Sequence, residues 1–337
     1  MSEFSFDLEQ RKHQEIWRKT NISTSERGFQ NKRDYEHIIP RRIWTETLWK
    51  DIRLELPVYL HQKNIQHHTG THNLLSSWIA CANLYFPVRQ NAILRILMAE
   101  FLRQKISDHI TEITDVELEF AFPQNDPLHP SILLGEEDGT RGSGQTSPDV
   151  AFLIKTKQGS GIVLTECKYT EHSFYKCSAR RTEDKEKRKG NPDPSRCLKQ
   201  ASVCDYKTIC HQTVWKRKYW NNLFLSNHGK TILKRCPATS AGYQLFRQQS
   251  LAEGIMKSGR YSLVASAVAF DDRNIELKAC LRSTGISDFQ TDWSGIFKGK
   301  AIFRTWTHQE WVEFVRKNQV KGQFNDWLKY MHVRYGY

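Results

Sequence analysis

SPDVAFLIKTKQGSGIVLTECK (147–168) holds two apolar runs, DVAFLIK (149–155) and GIVLTECK (161–168), joined by the turn-forming TKQGSG. Each run has the length and the β-branched content of a buried strand, and the Gly and Ser between them mark a reversal, so the stretch reads as an antiparallel hairpin. In such a pair, facing residues have a constant sum of positions. A turn centred between Lys157 and Gln158 sets that sum at 315, which is also 149 plus 166. Asp149 and Glu166 should therefore face each other at the open end, and Lys168, two residues on, should share their side of the strand. Three charged groups converge at one end of an otherwise apolar hairpin.

Working outward, residues 73–105 take on a helical period. Ile93, Leu94, Leu97, Met98, Phe101 and Leu102 form one stripe, Asn91 is placed to cap it, and Glu100 lies at the stripe's edge. TDVELEFAF (114–122) alternates as a strand does, and a Pro-, Asn- and Gly-containing loop fills 123–147. Downstream, 242–257 reads as a helix, 262–270 as a buried strand and 301–307 as another strand. Thr307 with Glu310 forms a capping box opening THQEWVEFVRKN, and a last helix is expected over 322–332. This order predicts an α/β (mixed α+β) fold, a central mixed β-sheet flanked by helices. The expected layout is a basic N-terminal arm (1–72), a core (73–306) with a polar, Cys-rich insertion (171–240), and C-terminal helices (307–337). The arm, with RKHQEIWRK, NKRDYEHIIPRRIW and LHQKNIQHH, shows no strong period.

The 337 residues include 50 Lys and Arg against 37 Asp and Glu, a net charge of +13. That excess is the footprint of a polyanion binder, because cationic side chains displace counterions from phosphates, although a basic solubility charge gives the same total. Basic residues interleaved with Trp and Tyr in the arm suit backbone contact and base stacking; a solvated face explains them as simply. No apolar run approaches a membrane span and the N-terminus lacks an apolar leader, so a soluble, cytoplasmic protein is expected. No phosphate-binding loop or dinucleotide fingerprint occurs, so no nucleotide-driven activity is expected.

Two carboxylates and a backbone carbonyl are hard oxygen donors suited to Mg²⁺, which takes one or two carboxylates and keeps several waters. A Lys beside such an ion can orient or deprotonate water or offset developing charge. Pro148-Asp149, an apolar strand, a turn, and an apolar strand ending Glu166-Cys167-Lys168 resemble the PD-(D/E)XK nuclease motif. NLLSSWIACANLYFPV (73–88) and YQLFRQQSLAEGI (243–255) are similar to a bacterial family of restriction endonucleases, and the resemblance spans roughly 73–270.

The resemblance implies a restriction-endonuclease-like fold with Asp149, Glu166 and the Cys167 carbonyl as metal ligands and Lys168 as the catalytic cation. It implies Mg²⁺ as cofactor, with Mn²⁺ able to substitute, and DNA as partner. The superfamily often adds an upstream Glu and a helical Gln. Glu100 matches the first by order, with Glu112, Glu117 and Glu119 as competitors; Gln248 is the choice for the second. The expected activity is metal-dependent DNA hydrolysis in restriction or phage defence, by a homodimer if both strands are cut. The alternatives are a non-cleaving nucleic-acid binder of the same fold and a structure-specific repair or resolvase nuclease.

Cys177, Cys197, Cys204, Cys210 and Cys236 fall within 60 residues. They lack a CxxC knuckle and read as reduced, buried thiols, with an iron–sulfur or zinc site as the alternative that the superfamily resemblance suggests. His61, His67, His68 and His72 read as loop histidines. RRTEDKEKRKG (180–190) reads as a solvated loop, or one that grips phosphates.

Overall fold

The computed structural model describes residues 5–183 and 189–337. Its centre is a five-stranded sheet whose spatial order follows the chain: β1 (Ile110–Leu118), β2 (Val150–Thr156), β3 (Gly159–Lys168), β4 (Leu263–Phe270) and β5 (Ile302–Thr307). β1–β2 and β2–β3 are antiparallel, while β3–β4 and β4–β5 are parallel. A tight turn joins β2 to β3; the parallel pairs need the long crossovers that place helices on the faces.

The hairpin has the expected register. Val150 pairs with Thr165, Phe152 with Val163 and Thr156 with Gly159, each summing to 315. Alternation then sorts the side chains. Phe152, Ile154, Val163 and Cys167 enter a core shared with α2 (Ser77–Gln90), α3 (Ala92–Lys105), α5 (His308–Asn318) and α6 (Asn325–Tyr335). Ala151, Ile162 and Leu164 enter the opposite core, shared with α4 (Tyr243–Lys257) and the 171–240 segment. Glu166 and Lys168 have the parity of Leu164, so they stand on the α4 side.

Several boundaries differ from the sequence reading. The helical stretch 73–105 is two helices, α2 and α3, because Asn91 is extended and its side chain accepts from the N–H groups of Ile93 and Leu94, starting a new helix. Ile93, in that first turn, leaves the apolar stripe and is 43% exposed. The strand expected at 114–122 lies at 110–118. It stops where Glu119 takes φ +47°, a left-handed conformation unfavourable to strand continuation, and Phe120 and Phe122 pack into the α4-side core from a loop. The last helix begins at Asn325 rather than 322. The Thr307–Glu310 capping box is present.

The N-terminal region carries a 16-residue helix, α1 (Phe6–Asn21), packed on α6. Its inward positions are Phe6, Gln10, Gln14, Trp17 and Arg18, mostly polar, which is why no apolar period announced it. Gln10 and Gln14 both bond the Tyr169 hydroxyl, at 2.8 and 3.2 Å. The arm thus reaches the residue that follows Lys168. The described residues of segment 171–240 form short helices, turns and a two-residue strand, and Tyr206, Tyr219 and Trp220 are buried in the α4-side core. Residues 184–188 of the basic run at 180–190 lie outside the described residues. Among the described residues, no helix is long and apolar enough to cross a membrane.

Candidate active site

A cleft of about 420 Å³ opens at the carboxyl end of β3 and is lined by Asp149, Glu166, Lys168 and Gln244, among others. Asp149 is delivered by the loop entering β2. Its Oδ2 accepts the Cys167 N–H at 2.7 Å, which leaves Oδ1 for another partner, and its backbone carbonyl accepts the Glu119 N–H at 3.0 Å. Lys168 Nζ sits 2.9 Å from Glu166 Oε1 and donates to Gln244 Oε1 at 2.8 Å. The Lys168 ammonium also stands over the Tyr175 and Phe174 rings, 5.4 and 5.8 Å from their centroids. Glu166 and Lys168 are buried and Asp149 is half-buried.

The electrostatics are those of a negative pocket with too few cations. Burial, then the charges of Glu166 and Glu119, holds the Asp149 carboxyl well above the usual aspartate range. Burial and Glu166 push Glu119 up to about 8, against the pull of Arg141 and a hydrogen bond from Trp78. Burial would lower the Lys168 pKa, but Glu166, Glu171 and Asp149 outweigh it and drive it up. Lys168 is therefore held as an ammonium.

The sequence-derived candidates separate here. Asp149, Glu166 and Lys168 come together. Glu119, placed by the left-handed turn ending β1, does not line the cleft but is the upstream carboxylate whose charge acts on Asp149 and Glu166. Glu117 is engaged by Lys63 and Arg141, Glu112 pairs with Lys155, and Glu100, half-buried on α3, is not among the cleft-lining residues. Gln248 is buried against the sheet, where its Nε2 donates to the Leu164 and Ala267 carbonyls and to Ser266 Oγ. One helical turn earlier, Gln244 is the glutamine that touches Lys168; the i, i+4 spacing on α4 was the signal that could have found it. The Cys167 thiol is buried on the opposite face, beside Cys81, so only the Cys167 backbone can serve the cleft.

All eight cysteines are free thiols, and Cys177, Cys197 and Cys236 are buried in the α4-side core. No group of three or more His, Cys, Asp or Glu side chains among the described residues is arranged to hold a metal ion. A cation in the cleft would rest on two carboxylates with backbone oxygen and water, a donor set that Mg²⁺ accepts. The mutual repulsion of Asp149, Glu166 and Glu119 fits such a cation.

Behind the site, a directional chain fixes the end of β3. Trp306 Nε1 donates to the Tyr85 hydroxyl at 3.0 Å, Tyr85 stands 3.2 Å from His308 Nδ1, and His308 Nε2 stands 3.1 Å from the Lys168 carbonyl. A carbonyl only accepts, so the imidazole proton lies on Nε2 and Nδ1 accepts from Tyr85. A neutral ring satisfies both bonds, and burial lowers the His308 pKa to about 4. The unfolded chain takes up this proton near pH 6.5, before the folded chain does, so stability falls as pH drops through that window. The stability difference between the parent and His308→Gln should change by up to about 3 kcal/mol, against the parent, between pH 7 and about 4. Urea midpoints of both proteins measure it, and a pH-independent difference would contradict the neutral imidazole.

The family described as "Restriction Endonuclease associating with ARP" has a model that matches residues 11–336. No curated protein and no solved structure gives a match.

Proposed function

Because the chain belongs to the family of restriction endonucleases associating with ARP, we propose that it is a metal-dependent endonuclease of the PD-(D/E)XK type that hydrolyses DNA in restriction or phage defence. The observation that carries this reading is the convergence of Asp149, Glu166 and Lys168 in one cleft, on a hairpin whose register puts the carboxylates opposite each other. Asp149 and Glu166, with the Cys167 carbonyl, would hold Mg²⁺ or Mn²⁺. The ion supplies Lewis acidity toward the phosphodiester and lowers the pKa of a nearby water. Glu119, its pKa raised by burial and Glu166, can add negative charge once a nearby cation favours loss of its proton.

Lys168, held charged, acts as a donor and a counter-charge rather than as a base. Its bonds to Glu166 and Gln244 aim the ammonium, and a fixed cation stabilises charge developing on the transferred phosphoryl group. The net charge of +13 draws the polyanion to the surface. Cutting both strands is expected of a homodimer, which sedimentation with and without DNA measures.

The test is cleavage of plasmid and single-stranded DNA, unmodified and modified, with Mg²⁺ or Mn²⁺. Cutting should require the metal and stop with a chelator. Protein that stays inert toward all of these substrates while still binding DNA would support the non-cleaving binder instead.

A further inference from the structure

The cleft has one wall that the sequence assigns no role. The segment after Ile65 brings His68 into the same cavity as Asp149, Glu166 and Lys168. Unlike His37 and His72, which are buried, His68 is an exposed residue. The backbone N–H of Gly70 donates to its Nδ1 at 3.1 Å. Nδ1 is thus an acceptor, and the proton of the neutral imidazole must reside on Nε2. Gly70 is suited to this approach, since a Cβ there would stand 3.3 Å from Nδ1 and 3.4 Å from Ser76 Oγ.

The charged groups facing the ring are Glu171, Lys168 and Glu166. None of them bonds it in the structure. Glu171 accepts the Tyr169 N–H at 3.1 Å and the Ser77 hydroxyl, and Lys168 and Glu166 are bonded to each other. The other cleft cation near the arm, Arg11, is paired with Asp7 at 3.1 Å. Among the described residues nothing bonds His68 Nε2, so an oriented N–H donor faces the cavity without a partner.

We propose that His68 donates its Nε2–H to a phosphate oxygen of the DNA strand held in the cleft, which makes it a substrate-binding residue opposite the carboxylates. The assignment rests on the nuclease reading above. It has a physical logic. The carboxylates and their cation meet one side of the phosphodiester, and its remaining charge needs a donor on the other side. A neutral donor can supply that without forming an ion pair that would collapse the pocket.

The test uses the full chain and a fluorescein-labelled duplex of mixed sequence, with Ca²⁺ replacing Mg²⁺ so that binding is read without cleavage. Phosphate contacts are independent of sequence, so a specific site is not required. His68→Ala should weaken binding about 10- to 100-fold, the worth of a hydrogen bond to a charged acceptor. His68→Gln, which retains a donor, should recover most of it. The slope of log affinity against log salt should stay unchanged, because no cation is lost. In ¹⁵N-histidine spectra, the Nε2 signal of His68 should move on DNA addition.

If DNA binds, but neither His68→Ala nor the His68 signal responds, the assignment is wrong and the nuclease reading stands. A slope reduced by about one in His68→Ala would make the contact ionic and also overturn the neutral donor. If the parent binds no DNA with or without metal, the nuclease reading itself falls.

Discussion

Asp149→Asn is expected to reduce metal-dependent DNA cleavage by roughly 10³-fold while melting no lower than the parent. The two effects have separate causes. Asparagine keeps the shape of the side chain and an oxygen to accept the Cys167 N–H, so the turn into β2 survives. What it removes is a negative charge that burial, Glu166 and Glu119 already disfavour. Relieving that repulsion favours the metal-free fold, so the melting temperature should hold or rise.

Catalysis moves the other way, because the same repulsion is what recruits the cation. Cleavage assays and thermal melts on one preparation check both halves. Unchanged cleavage would remove Asp149 from the metal set. Loss of cleavage together with a large drop in melting temperature would make its role structural. Lys168→Ala makes a sharper contrast. It should lose cleavage to a similar degree, but it also strands Glu166 without its partner and should destabilise the fold.

Glu136→Ala should carry the largest stability cost outside the site, about 3–5 kcal/mol. Glu136 is fully buried. Its carboxylate accepts from Arg247 Nε at 3.0 Å, the Tyr219 hydroxyl at 2.7 Å, the Thr146 hydroxyl at 2.8 Å and the Thr146 N–H. Alanine would take the carboxylate away from the Arg247 guanidinium and leave three further donors without this acceptor, and a buried charge that loses its counter-ion is far costlier than the pair is stabilising.

The consequences should reach the cleft, because the network ties together three segments. Arg247 is on α4, one turn from Gln244; Tyr219 belongs to the Cys-rich segment; and Thr146 is three residues before Asp149. A denaturant midpoint shift gives the cost. Glu136→Gln, which keeps an acceptor but loses the charge, should fall between the two. Equal stability of Glu136→Ala and parent would mean that these segments are held by their apolar contacts alone.

Most of the sheet and part of the site were legible in the sequence. β2, β3, β4 and β5 each fell within about two residues of their expected bounds; β4, buried along its whole length, shows this most plainly as an unbroken apolar run, whereas β5 keeps an exposed Arg304. The hairpin register followed from turn position and period two, which are local properties of the chain. Asp149, Glu166 and Lys168 were therefore placed together by arithmetic along 20 residues.

α1 was hidden for the opposite reason. It buries Gln10, Gln14 and Arg18, and nothing in a run of polar residues says which of them find partners. Gln10 and Gln14 each bond the Tyr169 hydroxyl, more than 150 positions away.

The choice between Glu100 and Glu119, and between Gln248 and Gln244, also belonged to tertiary structure. Helix periodicity puts Glu100 at the edge of an apolar stripe, but it does not say which wall that edge meets. Glu119 is held beside Asp149 because the chain turns left-handed there and its backbone N–H bonds the Asp149 carbonyl. Gln244 and Gln248 share a helix face, and only the docking of α4 on β3 decides that one meets Lys168 while the other meets strand carbonyls.

By itself, then, the sequence determined the strands, the hairpin register and the facing carboxylates with their Lys, because hydrophobic period and turn position act over neighbouring residues. Only the tertiary structure decided which distant carboxylate stands near the pair and which amide and imidazole line the cleft, because those contacts depend on how independently formed elements dock.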